Sequence, residues 1–138
     1  MQIGISQLVR RVETQLNEVR DVFLEKMAER ALIASPVDTG AYVDSFSVTT
    51  ISGGGRSRTS HNKPSIVGDD AKRTKKDQVF AELLGDIAVL PPDTTKVYLT
   101  NRAPHAPYVE GNYGVFAVVR NVASNLLDEA VTEVRLRE

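Results

Sequence analysis

At 138 residues, with a formal net charge of -1 and no cysteine, the chain is long enough to bury a core as one domain without disulfides or metal. A thiol nucleophile is excluded, and the overall charge balance argues for neither nucleic acid nor a membrane surface. No apolar run approaches the roughly 20 residues of a membrane span, and Met1-Gln2-Ile3-Gly4 lacks the basic-then-apolar layout of a signal peptide, so synthesis in a cytoplasm is expected.

Over residues 6–34, apolar side chains fall at Leu8, Val12, Leu16, Val19, Phe23, Met27 and Ala31. Steps of three and four are the helical period, and Arg10, Arg11, Glu13, Glu18, Arg20, Asp21 and Glu25 lie largely off the stripe. One helix of about 29 residues would run roughly 44 Å, longer than a compact globule of this size, so either part of its stripe is covered by a partner chain or its first turns fray or bend. Pro36 disfavours helical geometry at Ser35 and lacks the N–H a continuing helix needs, which ends the helix at about Ala34. In Asp38-Thr39-Gly40 the two polar side chains can bond nearby amides and the glycine can take positive φ, so the chain turns.

A strand is expected over residues 42–51, where Tyr42, Phe46 and Val48 alternate with Ser and Thr. Gly53-Gly54-Gly55 ends it. Residues 53–76 then carry Arg56, Arg58, Lys63, Lys72, Arg73, Lys75 and Lys76 against Asp69 and Asp70, with almost no large apolar side chain, which predicts a mobile basic arm or long hairpin. A short helix follows from Asp77, its expected N-cap, to the stop at Pro91-Pro92. Residues 96–100 form a second strand, residues 101–107 a loop, and residues 108–111 a further strand or tight turn. From Val115 a stripe of Val119, Val122, Leu126, Ala130 and Val134 gives a closing helix of about 20 residues. The sum is an α+β fold: a small, mostly antiparallel sheet packed against a long N-terminal and a C-terminal helix, with a long flexible basic loop.

Candidate chemistry is sparse. Asp38-Thr39-Gly40 is the triplet of aspartic proteases, which pair two such carboxylates in a dimer, and Ile66-Val67-Gly68 lies downstream as it would in the retroviral type. In those enzymes the triplet ends an apolar strand, whereas here a long helix and Pro36 precede it. His61 and His105 are too far apart in sequence, and too poorly accompanied, for a metal site. Gly53-Gly54-Gly55-Arg56 lacks the lysine and helix start of a phosphate loop. Tyr108 and Tyr113 read as packing residues. The basic arm reads as a solvated loop, as a contact to acidic surfaces of neighbouring subunits, or as a phosphate-backbone contact lacking the interleaved aromatics of a single-strand reader. No catalytic residue, cofactor or metal follows from the residues.

Two separated stretches carry a resemblance. Ser35-Pro36-Val37-Asp38-Thr39-Gly40-Ala41-Tyr42, closing a long helix and followed by Ser45-Phe46, resembles the "P-V-D-T-G-x-L, then S-(F/W)" signature of the neck or tail-completion proteins of long-tailed bacteriophages. Residues 97–111, including Thr100-Asn101-Arg102-Ala103-Pro104-His105-Ala106-Pro107-Tyr108-Val109-Glu110-Gly111, resemble that family's second signature, "hydrophobic-x-x-T-N-x-x-P-Y-A-x-x-x-E-x-G". His105 replaces the family's tyrosine, Glu110 and Gly111 are adjacent, and the basic insertion is not a family feature. The resemblance implies a non-enzymatic virion protein: a head-tail joining subunit forming a homo-oligomeric, six-fold ring between the capsid connector or stopper and the tail tube or tail terminator. It implies structural roles for Pro36, Asp38, Thr39, Gly40, Phe46, Asn101, Pro104, Tyr108, Glu110 and Gly111. The alternatives are a packaging accessory that contacts nucleic acid through the arm and, further off, the protease.

Overall fold

The computed structural model describes residues 1–4, 16–59 and 63–137. It is a mixed α+β fold with a three-stranded antiparallel sheet and five helices among those residues. In chain order they are β1 (Gln2–Gly4), α1 (Leu16–Ala34), α2 (Ala41–Asp44), β2 (Phe46–Thr49), α3 (Asp69–Ala88), β3 (Tyr98–Asn101), α4 (Ala106–Tyr113) and α5 (Val115–Leu136). The first turns of the expected 6–34 helix lie outside the described residues, as does His61.

Helix α1 ends at Ala34, where the proline rule puts it. The Ser35 hydroxyl donates to the carbonyl of Ala31 at 2.6 Å and its amide to Leu32 at 3.1 Å, which satisfies two of the helix's last carbonyls. Burial on α1 is wider than one stripe: Val22, Leu24 and Ala28 join Val19, Phe23, Met27 and Ala31 in the core. The helix is wedged between α5, α3 and the sheet, so it faces protein on several sides. Arg20, expected in solvent, is only 2% exposed. Its guanidinium donates to the carbonyls of Pro91 at 2.7 Å and Thr94 at 3.0 Å and pairs with Asp21 at 2.9 Å, which compensates its buried charge.

The sheet order is β1-β3-β2. Residues 2–4 pair with residues 98–100, and residues 46–49 with residues 98–101. Register puts Ile3, Leu99 and Val48 across from one another on the face that enters the core with α1 and α5, while Gln2, Thr100 and Ser47 share the other face. Phe46 is fully buried, with its ring 6.1 Å from that of Phe116 on α5.

Four expectations are corrected. The strand expected over 42–51 is only Phe46–Thr49. Gly40 sits at φ 91°, and the turn it starts continues as α2, where the Ser45 hydroxyl bonds the Ala41 carbonyl at 2.8 Å; these local bonds outcompete the ladder. The helix expected from Asp77 starts at Asp69. Val79, Leu83 and Ile87 anchor its second half in the core, and Asp69 and Asp70 complement the dipole of its first turn, so the polar half is carried along. Residues 108–111, read as strand or tight turn, belong to the eight-residue α4, which Pro107 suits as a first-turn residue.

The fourth correction concerns the basic arm. Residues 69–76 are helical, and residues 51–58 fold back as a strap across the polar face of the sheet. Gln2 contacts Ser52 at 2.8 Å and accepts from the Gly53 amide at 2.6 Å, Thr100 Oγ1 donates to the Gly54 carbonyl at 2.8 Å, and Ser47 Oγ accepts from the Arg56 amide at 2.8 Å. Farther along, the Arg58 amide donates to Ser45 Oγ at 2.7 Å. Gly55, at φ 105°, lies so close that a Cβ there would stand 2.6 Å from Ser47 Cβ. Polar side chains that alternation assigns to solvent serve as the strap's bonding partners.

Candidate functional site

The two signature stretches, about 60 residues apart in sequence, meet in space. The turn after α1 places Tyr42 at the start of α2, and the end of β3 brings Asn101 beneath it. Asn101 is 1% exposed; its Nδ2 donates to the Tyr42 carbonyl at 2.8 Å and its Oδ1 accepts from the Ala103 amide at 3.0 Å. Tyr42 packs edge-on to Phe46, with ring centroids 5.3 Å apart, and against His105 at 6.1 Å. Its hydroxyl is buried without a hydrogen-bond partner among the described residues, and burial, reinforced by the charge of Glu110, pushes its pKa up.

Between the stretches lies a cleft of about 460 Å³, lined among others by Pro36, Asp38, Tyr42, His105, Tyr108 and Tyr113. Tyr108 is 72% and Tyr113 56% exposed. They are not the packing residues expected but project from α4 at the mouth of the cleft. Asp38 is exposed; its carbonyl accepts from the Ile66 amide at 2.6 Å, tying residues 63–68 to the turn. Thr39 Oγ1 accepts from the Ala41 amide at 3.4 Å, and Gly40 leaves room for the Lys75 side chain, whose Cε would stand 2.7 Å from a Cβ there. Glu110 is a capping residue: its carboxylate accepts from the amides of Phe116 at 2.7 Å and Ala117 at 3.3 Å, at the start of α5. Pro104 and Gly111 are exposed on the surrounding loop and helix.

The basic residues do not gather into one patch. Arg56 pairs with Asp86 at 2.7 Å and Glu82 at 2.6 Å, Arg58 approaches Glu82 at 3.9 Å, Lys75 pairs with Asp44 at 2.8 Å, and Arg73 pairs with Asp70 one turn away. Lys76 donates to the last-turn carbonyl of Ile33 at 3.4 Å, and its pKa is lowered by burial and by Lys72. Lys63 and Lys72 stand on either side of Gly68, Lys63 exposed and Lys72 half-buried. Burial alone would lower the Arg56 pKa, but its bond to Asp86 and the charges of Asp86, Glu82 and Asp44 outweigh that and raise it.

Sequence reasoning missed Glu82 and Asp86. They sit four residues apart beside the Val79-Leu83-Ile87 stripe, which puts both carboxylates on one flank of α3, and that spacing was the available signal. Among the described residues, no group of three or more His, Cys, Asp or Glu could hold a metal ion, and no helix is long and apolar enough to cross a membrane. The cleft is edged by the aromatic side chains of Tyr42, Tyr108 and Tyr113, with Asp38 and His105 also on its lining. No protein-family model, curated protein or solved structure matches the chain.

Proposed function

We propose that this chain is a structural subunit of the neck of a long-tailed bacteriophage virion, a head-tail joining protein whose copies form a six-fold ring between the capsid connector and the tail tube or tail terminator. The observation that carries the reading is the meeting of the two signature stretches at one cleft, through Asn101 and Tyr42, with Tyr108 and Tyr113 exposed at its mouth. Exposed tyrosines suit an interface between subunits, because each brings a large contact area with little side-chain entropy to lose.

Two features count against the other readings. Asp38 lies on an exposed turn after a helix and not at the end of an apolar strand, which is the wrong setting for a shared-proton carboxylate pair. Of the arm's seven cations, Arg56, Arg58, Arg73 and Lys75 are engaged by carboxylates, which leaves Lys63, Lys72 and Lys76 to neutralise phosphates. Size-exclusion chromatography and negative-stain electron microscopy of the purified chain test the proposal. Closed rings, or rings that form on addition of connector particles, are expected. A chain that stays monomeric at high concentration and binds neither connector nor tail would overturn it.

A further inference from the structure

We propose that the cleft between the two signature stretches receives an arginine side chain of a partner protein, its guanidinium held by the Asp38 carboxylate and stacked on the tyrosines at the mouth. The cleft, of about 460 Å³, falls within the roughly 300–1,000 Å³ of small-ligand sites. Asp38 is the only Asp, Glu, Lys or Arg on its lining. The Asp38 carbonyl is taken by the Ile66 amide, but its side chain is exposed and its carboxylate has no hydrogen-bond or ion-pair partner among the described residues. Tyr42, Tyr108 and Tyr113 add electron-rich ring faces, and the charge of Glu110 bears on the Tyr42 phenol as well. The groups that meet here are negative or electron-rich, so the complementary occupant is a cation.

The chain does not supply that cation itself. Lys75 packs its stem at Gly40, but its ammonium pairs with Asp44 at 2.8 Å. The start of α4 also borders the cleft and would draw an anion through free amides, yet Ala106 donates to the Ala103 carbonyl at 3.0 Å and Pro107 has no N–H. A guanidinium matches both kinds of group present: its fork of N–H donors fits a carboxylate, and its plane lies on a phenol ring. A quaternary ammonium has no N–H to give Asp38. Tyr108 and Tyr113 are 72% and 56% exposed, which leaves ring surface for the chain that carries the arginine to cover. The inference rests on the cleft's own groups and not on the ring reading, and it holds for any protein seated there, a neighbouring copy included.

The test is titration of the full chain with N-acetyl-arginine amide at about pH 8, where an imidazole carries no charge, followed by NMR of the tyrosine rings. N-acetyl-citrulline amide serves as the neutral isostere and tetramethylammonium as the small cation without N–H. The arginine compound should shift the rings of Tyr108 and Tyr113 and leave Tyr98, on β3 and off the cleft, in place. The citrulline compound should bind about tenfold more weakly, and tetramethylammonium more weakly than the arginine compound. Asp38→Asn keeps the backbone carbonyl that Ile66 uses and should weaken arginine binding about fivefold. Citrulline or tetramethylammonium binding as tightly as arginine, binding unchanged in Asp38→Asn, or no shift confined to the cleft tyrosines overturns the proposal. Should Asp38→Asn not fold, Tyr108→Ala, at an exposed position, takes its place: about threefold weaker binding is expected, and unchanged binding overturns the proposal equally. None of these readouts requires a ring, so a chain that never assembles leaves this result standing by itself.

Discussion

Asn101 Nδ2 holds the carbonyl of Tyr42 at 2.8 Å across 59 residues of sequence, and its Oδ1 holds the amide of Ala103. One buried amide thus joins the two halves of the cleft. Asn101→Ala leaves a buried carbonyl and a buried N–H unpaired, which should cost about 2–4 kcal/mol. Asn101→Asp keeps the acceptor for Ala103 but loses the donor for Tyr42 and buries a charge, so it should be no better at neutral pH. Urea denaturation of both variants checks this; a loss below about 0.5 kcal/mol for Asn101→Ala would show that the joint is held elsewhere.

Glu110 caps a helix that its own helix precedes. Glu110→Ala should destabilise by about 1 kcal/mol, and Glu110→Gln, which keeps an acceptor and loses the charge, by less. The same denaturation series, with amide exchange at Phe116 and Ala117 as the local readout, distinguishes a cap from a surface charge.

Gly55 and Gly53 both have positive φ, but only at Gly55 would a Cβ meet the sheet. Gly53→Ala should cost about 1–2 kcal/mol from backbone strain alone. Gly55→Ala adds a methyl against Ser47 and Thr100 and should cost about 2–4 kcal/mol while releasing the strap. Protease cleavage within residues 51–58, rapid in Gly55→Ala and slow in Gly53→Ala, is the expected pattern; equal rates would mean that the strap does not depend on this close approach.

Burial and Asp21, with Glu133 and against Arg137 and Lys26, raise the Glu25 carboxyl above its ordinary 4.5. The folded state therefore holds that proton more tightly than the unfolded chain, and the group's contribution is most favourable below 4.5 and is lost as pH rises through the folded value. Glu25→Gln should melt higher than wild type at pH 7, with the difference shrinking toward pH 4. A difference that grows on acidification would reverse the sign.

Tyr108 and Tyr113 test assembly separately from folding. Because both are exposed, Tyr108→Ala and Tyr113→Ala should shift stability by no more than about 0.5 kcal/mol. If the cleft mouth is an interface between subunits, both should reduce ring formation or connector binding in electron micrographs. Wild-type assembly by the double variant would move the interface elsewhere.

The long helices were legible because α1 and α5 each repeat apolar residues at helical spacing, and Pro36 marks where the first must stop. Other elements were not, for physical reasons. Residues 2–4 are a strand only because β3 offers them an edge; Gln-Ile-Gly carries no period to read. The N-terminal half of α3 is helical through its covalent continuity with a buried half, and its own composition reads as solvent. The strap reads as loose because its partners, Ser47, Thr100 and Gln2, are the polar residues that alternation assigns to water. At the candidate site, each signature stretch could be read alone, but not that Asn101 ties them together, since a buried asparagine and a surface one look alike in sequence. Asp86 left only a spacing signal, four residues from Glu82 on one flank of α3; its partners, Arg56 and the Val48 amide, lie 30 and 38 residues away.

The pairing of residues 2–4 with residues 98–100, and of α1 with α5, has a consequence for biosynthesis. While the nascent chain leaves the ribosome, the apolar surface of α1 waits for a partner roughly 100 residues behind it, about 5–20 s at typical elongation rates. Through that interval it is a ready client for a chaperone, and the central strand can close the sheet only after translation has entered its final third.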